Sequence, residues 1–273
     1  MLLCKTEQLF LFERRYIILT CSDLTLVPSS HLKPLDVISG FQVRPGFFLS
    51  PGTTVIPGGV NFTIQSQAAT SCELLLYHRE AEEPFAVLKF PETYRIGFVY
   101  SMIVFGLDIE EFEYAYRLDG PYEPEKGLCF DKTRILLDPY AKAVTGQSRG
   151  GCKNAQKHGY RARVVRSNFD WGDHKQPMIS MSDTIIYELH VRGFTKDPSS
   201  GVTHPGTFAG LIEKIPYLLE LGVTTIELMP VFEFDEMRDC RLLDENQLLD
   251  YWGYNPVCFF APNTSYASTS EYN

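Results

Sequence analysis

"DTIIYELHV" at residues 183–191, "GTFAGLIEKIPYLLELG" at 206–222 and "VTTIELMP" at 223–230 decide the fold class of this chain. The first and third are continuous apolar runs of strand length, the pattern of parallel strands covered on both faces. The middle one carries Phe208, Leu211, Ile212, Ile215, Leu218 and Leu219 at helical spacing, with Thr207 available as N-cap and Gly222 as stop. Pro216 inside such a helix costs roughly 3 kcal/mol, so either the helix bends there or two short helices meet. A strand, a helix of about four turns and a second strand form one βαβ unit, hence an α/β domain. Glu188, His190 and Arg192, two apart in "YELHVRGFT", fall on one face of an extended strand.

Upstream the period changes. From residue 41 to about 120 short apolar or alternating runs ("GGVNFTIQ", "CELLLY", "FAVLKF", "FVYSMIVF", "FEYAYRL") are separated by Pro, Gly or acidic turns, which predicts a small immunoglobulin-like β-sandwich. In the last run Phe112, Tyr114 and Tyr116 alternate with Glu113, Ala115 and Arg117, as in a sheet covered on one face. Tyr77, Tyr94, Tyr100, Tyr114 and Tyr116 are candidates for a sugar-stacking platform, but alternation assigns at least Tyr114 and Tyr116 to the core. Residues 1–40 lack a period and read as an irregular extension, and 121–182, rich in Pro, Gly and charge, as a connector.

The chain has 273 residues, 34 acidic and 25 basic, for a net charge of −9. With no basic tract interleaved with aromatics, a nucleic-acid partner is not expected. Glu7, Glu13, Arg14 and Arg15 break the apolar N-terminus into pieces too short for a signal core or a membrane span. The seven cysteines, at 4, 21, 72, 129, 152, 240 and 258, are odd in number, scattered and never paired at metal-ligand spacing. They read as reduced thiols of a cytoplasmic protein, and His190 and His204 as structural residues rather than metal ligands. No cofactor and no metal are expected.

The motifs "GGVNFTI", "YRLDGPY", "FDKTRILLDPYAKAV", "FDWG", "IYELHVRGFT", "GTFAGLIEKIPYLLELGVTTIELMPVFEFDE" and "YWGYNPVCFFAPNTSYAS" occur in one order across residues 41–270. In that order they resemble the α-amylase superfamily of glycoside hydrolases (family 13), specifically the isoamylase-type glycogen and starch debranching enzymes. Type I pullulanases and branching enzymes share the layout. The resemblance implies a carbohydrate-binding-like sandwich at 41–120, a connector at 121–182 and, at 183–273, the first strands of a truncated TIM (β/α)8 barrel. The activity implied is retaining hydrolysis of α-1,6 branch linkages in glycogen or limit dextrin. It uses an Asp nucleophile and a Glu acid/base about 5–5.5 Å apart, with a third carboxylate assisting.

Those carboxylates belong to barrel strands four, five and seven, whereas 91 residues follow position 182 and a complete barrel takes about 250. The expectation is therefore a fragment with no catalytic residue in this chain and no activity by itself. Glu227, Glu233, Asp235 and Glu236 read as barrel-end and loop charges. Tyr254 matches the family tyrosine that stacks on the glucosyl ring beside the scissile bond, as an aromatic face suits a sugar's C–H face; Trp252 reads as packing. Within the barrel reading, Glu188, His190 and Arg192 form an interior polar network, with Tyr187, Leu189 and Val191 facing the helices. The expected partner is a branched α-glucan, with no nucleic acid and no membrane. The alternatives are a non-catalytic glucan-binding protein, or a fragment of a type I pullulanase or glycogen branching enzyme.

Overall fold

The structure, a computed structural model, describes residues 10–12, 15–17, 32–146, 159–166, 169–173, 175, 177–238, 241–243 and 246–269. Its principal strands are β1 (Asp36–Ile38), β2 (Phe41–Pro45), β3 (Gly52–Ile56), β4 (Gly59–Gln65), β5 (Ser71–His78), β6 (Ala86–Lys89) and β7 (Val99–Phe105), then β8 (Phe112–Asp119), β9 (Ala143–Thr145) and β10 (Arg161–Arg163). Next come β11 (Ile186–Leu189), α1 (Val191–Thr195), α2 (Phe208–Glu213), α3 (Ile215–Glu220), β12 (Thr225–Leu228), β13 (Phe232–Phe234) and β14 (Pro256–Pro262). Phe10–Phe12 and Arg15–Ile17 make a separate antiparallel pair.

Two antiparallel sheets face each other, one in the order β1-β2-β7-β4-β3 and the other β9-β10-β8-β5-β6. Every second residue of each central strand points between them. Val60, Phe62 and Ile64 of β4, Tyr100, Met102 and Val104 of β7, Leu74 and Leu76 of β5, and Phe112, Tyr114 and Tyr116 of β8 form one buried cluster. Phe62 meets Tyr114 edge-on, with centroids 5.3 Å apart, and each such ring contributes about 1.5–3 kcal/mol by leaving water. The sheets take in strands on both sides of residues 41–120, namely β1, β9 and β10.

The outer face of β8 is not open to water as alternation alone predicts: Glu113 and Ala115 are buried as well. Leu75, Tyr77 and Ala115 form a second small cluster on that side. The buried Arg161 closes it, with its guanidinium 3.5 Å from the Tyr77 ring centre and 3.6 Å from Glu113 Oε2, while donating to the carbonyls of Ala81 and Glu82. A residue 48 positions away covers this face, which no local pattern encodes.

In the α/β part, β11 and β12 pair in parallel from Ile186↔Thr225 to Leu189↔Leu228. Leu189, Val191, Leu211, Leu218 and Val223 pack between the strands and the helices, joined by Phe234 and Tyr266, with Tyr187 against them. Of the two alternatives that Pro216 leaves over 206–222, a bent helix or two short ones, the structure has the second. Lys214 ends α2 and begins α3, and Pro216 sits in the first turn of α3, where its missing N–H would be unpaired anyway. Thr207 does cap, its side chain accepting from Gly210 N–H. The first strand is shorter than predicted. It stops at Leu189, and His190 caps α1, so Arg192 lies on a helical turn rather than on the strand.

The two parts touch. Cys258 and Ala261 of β14 belong to the sandwich core cluster, Cys258 Sγ donates to Ala141 O at 3.2 Å, and Phe260 stacks on Tyr140 at 5.5 Å. Cys72, Cys129 and Cys258 are free thiols; the other four cysteines lie outside the described residues. No helix among the described residues is long and apolar enough to cross a membrane.

Candidate substrate-binding site

The sequence candidates converge only in part. His190 and Arg192 both reach Tyr266: its hydroxyl is 3.2 Å from His190 Nε2, and the Arg192 guanidinium lies 5.3 Å from its ring centre. Glu188 takes no part in this. It is exposed on β11, in register with Glu227 of β12, which is exposed as well. The three-residue polar network expected from the two-residue spacing is therefore a two-residue one. The strand ends one residue before His190, and the turn of α1 carries Arg192 to a different azimuth.

Arg192 donates to Glu236 Oε1 at 2.7 Å and to Ser265 Oγ at 2.8 Å, and Ser265 Oγ lies 2.8 Å from the same carboxylate oxygen. Glu236 is buried, so the guanidinium neutralises a charge that would otherwise be costly there. Glu233, also buried, accepts from Thr264 N–H at 3.0 Å. Both carboxylates thus tie the segment before β14 to the segment after it. Asn263 caps the turn that presents Ser265, its Oδ1 accepting from Ser265 N–H at 2.8 Å.

His190 is neutral and fixed in one tautomer by its neighbours. Gly193 N–H donates to Nδ1 at 3.1 Å, which leaves the proton on Nε2, 2.7 Å from the carbonyl oxygen of Tyr251. The Tyr251 ring lies flat on the imidazole, with centroids 3.9 Å apart at 10°. Burial holds the histidine below its ordinary value; the nearby Arg192 charge pushes the same way, and the bond to Tyr251 opposes both. Burial likewise raises the Tyr266 hydroxyl.

The segment 251–255 carries exposed aromatics. Tyr254 is 70% exposed and Trp252 54%, so Trp252 is not the packed residue the sequence predicts. The loop under them is well tied: Asp250 Oδ1 accepts from Trp252 N–H at 3.1 Å and Gly253 N–H at 3.3 Å, and Asn255 Nδ2 donates to Asp235 O at 3.1 Å. Gly253 has φ +80°, and a Cβ there would fall 2.6 Å from the Phe234 ring. Such an aromatic shelf can stack on sugar faces. In the sandwich, by contrast, Tyr77, Tyr94, Tyr100, Tyr114 and Tyr116 are all buried and offer no platform. Among the described residues no group of three or more His, Cys, Asp or Glu is placed to hold a metal ion.

Sequence reasoning missed Tyr251, Tyr266, Asn263 and Ser265. Only Asn263 left a local signal, as a turn residue two before Ser265; the others contact His190 or Arg192 from more than 60 positions away.

Residues 50–141, within the β-sandwich, match carbohydrate-binding module 48, the isoamylase N-terminal domain. The chain is 39% identical over 246 residues to isoamylase 3, chloroplastic, of rice, an alignment covering 85% of this chain and 32% of that protein. It is 35% identical over 228 residues to the glycogen debranching enzyme of Yersinia enterocolitica, covering 78% and 33%. The structure of type I pullulanase from Bacillus subtilis complexed with maltose superposes with a TM-score of 0.59 at 28% identity, covering 81% of this chain and 28% of that one. Over most of its length the chain is therefore similar to the N-terminal portion of isoamylase-type and glycogen debranching enzymes. It spans about a third of the length of the curated relatives it matches.

Proposed function

We propose that this chain supplies a carbohydrate-binding-like module, centred on 41–120 with β1, β9 and β10 completing its sheets, and the opening of the (β/α)8 barrel (183–273) of a cytoplasmic debranching enzyme. The reaction is retaining hydrolysis of α-1,6 branch linkages in glycogen or limit dextrin, with Tyr254 stacking on a glucosyl ring. The observation that carries the reading is the parallel pair β11–β12 connected through α2 and α3. β12 is exposed along its whole length and, among the described residues, is paired on one edge only, as expected of a barrel strand whose next neighbour is not in place.

The 273 residues by themselves hydrolyse nothing in this reading. Glu233 and Glu236 are buried in structural bonds, and Glu188 and Glu227 are solvated on the strands. Reducing-sugar release from glycogen by the purified chain should stay at the buffer blank, and measurable release would overturn this. Tyr254→Ala should weaken maltohexaose binding without moving the thermal midpoint, since its ring is largely in water; unchanged binding would remove Tyr254 from the site.

The match over 50–141 also favours a second reading, a glucan-binding protein with no hydrolytic role. Co-sedimentation of the whole chain with glycogen, undiminished by Tyr254→Ala, would favour it. No binding by either protein would exclude it.

A further inference from the structure

We propose that His190 is a positioning residue for the aromatic loop, setting where Trp252 and Tyr254 stand. The idea rests on the reading of Tyr254 as a glucan contact, but the link it describes is independent of any glucan.

The loop's own bonds, from Asp250 and Asn255, join it to neighbouring segments of the same connection. His190 is different: it directly follows the last residue of β11 and caps α1, so it couples the loop to the strand–helix junction. It does so twice, through Nε2–H to the Tyr251 carbonyl at 2.7 Å and through the flat ring stack at 3.9 Å. Its other nitrogen is occupied by Gly193 N–H as the cap of α1. With both nitrogens engaged, the imidazole has no lone pair or proton free for acid–base work on a substrate. What remains for it is placement.

Gly193 completes the clamp. A Cβ at this position would collide with the Tyr251 hydroxyl, so α1 approaches the tyrosine closely only because residue 193 has no side chain. Trp252 reports on the outcome, because its ring meets that of Tyr251 at 5.3 Å, edge to face. The motif "LHVRGF" thus holds two positions, His190 and Gly193, whose common contact is one tyrosine about sixty residues further on.

The test uses the 273-residue chain carrying Trp171→Phe, which leaves Trp252 as the single tryptophan, with acrylamide quenching of its emission as the readout. His190→Asn keeps an acceptor for Gly193 N–H but loses the reach to Tyr251. Release of Trp252 from 54% exposure to full exposure would raise the quenching constant about twofold. His190→Gln, whose amide nitrogen takes the place of Nε2 but which lacks the stacking ring, should bring it part of the way back to the parent value. Gly193→Ala should also raise it, and adding Tyr251→Phe to Gly193→Ala should lower it again, so the clamp is tested even if His190→Asn fails to fold. Near-ultraviolet circular dichroism checks that the sandwich stays folded.

Quenching unchanged in both His190→Asn and Gly193→Ala would overturn the proposal, as would His190→Gln behaving like His190→Asn. Maltohexaose is titrated into each protein in parallel. The predicted quenching pattern with no maltohexaose response in any protein would sustain the positioning role and reject the glucan reading instead.

Discussion

Removing one hydroxyl from the sandwich core tests the energetics most directly. Tyr114 lies in the middle of β8 and donates to Asp138 Oδ2 at 2.8 Å, while Tyr140 N–H donates to Oδ1 at 2.8 Å. Asp138 is fully buried. Tyr114→Phe keeps the ring and its edge-on contact with Phe62 but strips Oδ2 of its donor. Losing a hydrogen bond to a buried carboxylate costs about 1.5–3 kcal/mol. At about 2–4 °C per kcal/mol for a cooperative unit of this size, that lowers the melting midpoint by roughly 3–12 °C.

The effect must depend on pH. Burial raises Asp138 above its ordinary value, and the two hydrogen bonds only partly offset that. A carboxyl whose folded value is raised contributes stability that is fully present below its unfolded value and is lost as pH rises through the folded value. The Tyr114 bond is worth most where Asp138 is ionised, so the loss on Tyr114→Phe should be larger at pH 7.5 than at pH 4. Thermal melts followed by circular dichroism at both values measure the difference. An equal drop at the two pH values, or none at either, would refute the assignment of Asp138 as a buried charge held by Tyr114.

Arg161→Met leaves Glu113 buried without its cation and should cost about 3 kcal/mol in urea denaturation; adding Glu113→Gln should recover most of it, and failure to recover would mean the guanidinium acts through Tyr77 alone. Pro216→Ala should change stability by no more than about 0.5 kcal/mol, because the proline sits in the first turn of α3; a gain near 3 kcal/mol would instead place the proline inside a continuous, bent helix. Gly253→Ala combines a positive φ with a clash against Phe234 and should cost about 2 kcal/mol or more, seen as a lower unfolding midpoint and a shifted Trp252 emission. An unchanged emission maximum would show that the loop backbone is not held as described.

Several features were legible from local pattern. The alternation of "FEYAYRL" placed Phe112, Tyr114 and Tyr116 in the core, and the helical spacing after Thr207 put Leu211 and Leu218 against the strands. The motif order carried the family resemblance, and the matches to an isoamylase N-terminal module and to debranching enzymes bear it out. The polar face of "YELHVRGFT" was misjudged at its C-terminal end. A two-residue period assumes that extended backbone continues, and the cap at His190 stops it.

What this amino-acid sequence determined by itself was therefore periodic: which segments become strands, which become helices, and which rings turn inward, because those follow from neighbours one to four residues apart. The tertiary structure alone decided which distant groups answer one another. Arg161 covers β8, Glu236 neutralises Arg192, Cys258 enters the sandwich core and Tyr251 settles on His190. Each pairing is a buried polar or close-packed contact between elements dozens of residues apart. Its strength depends on desolvation and on a geometry that exists only once both elements are folded and packed.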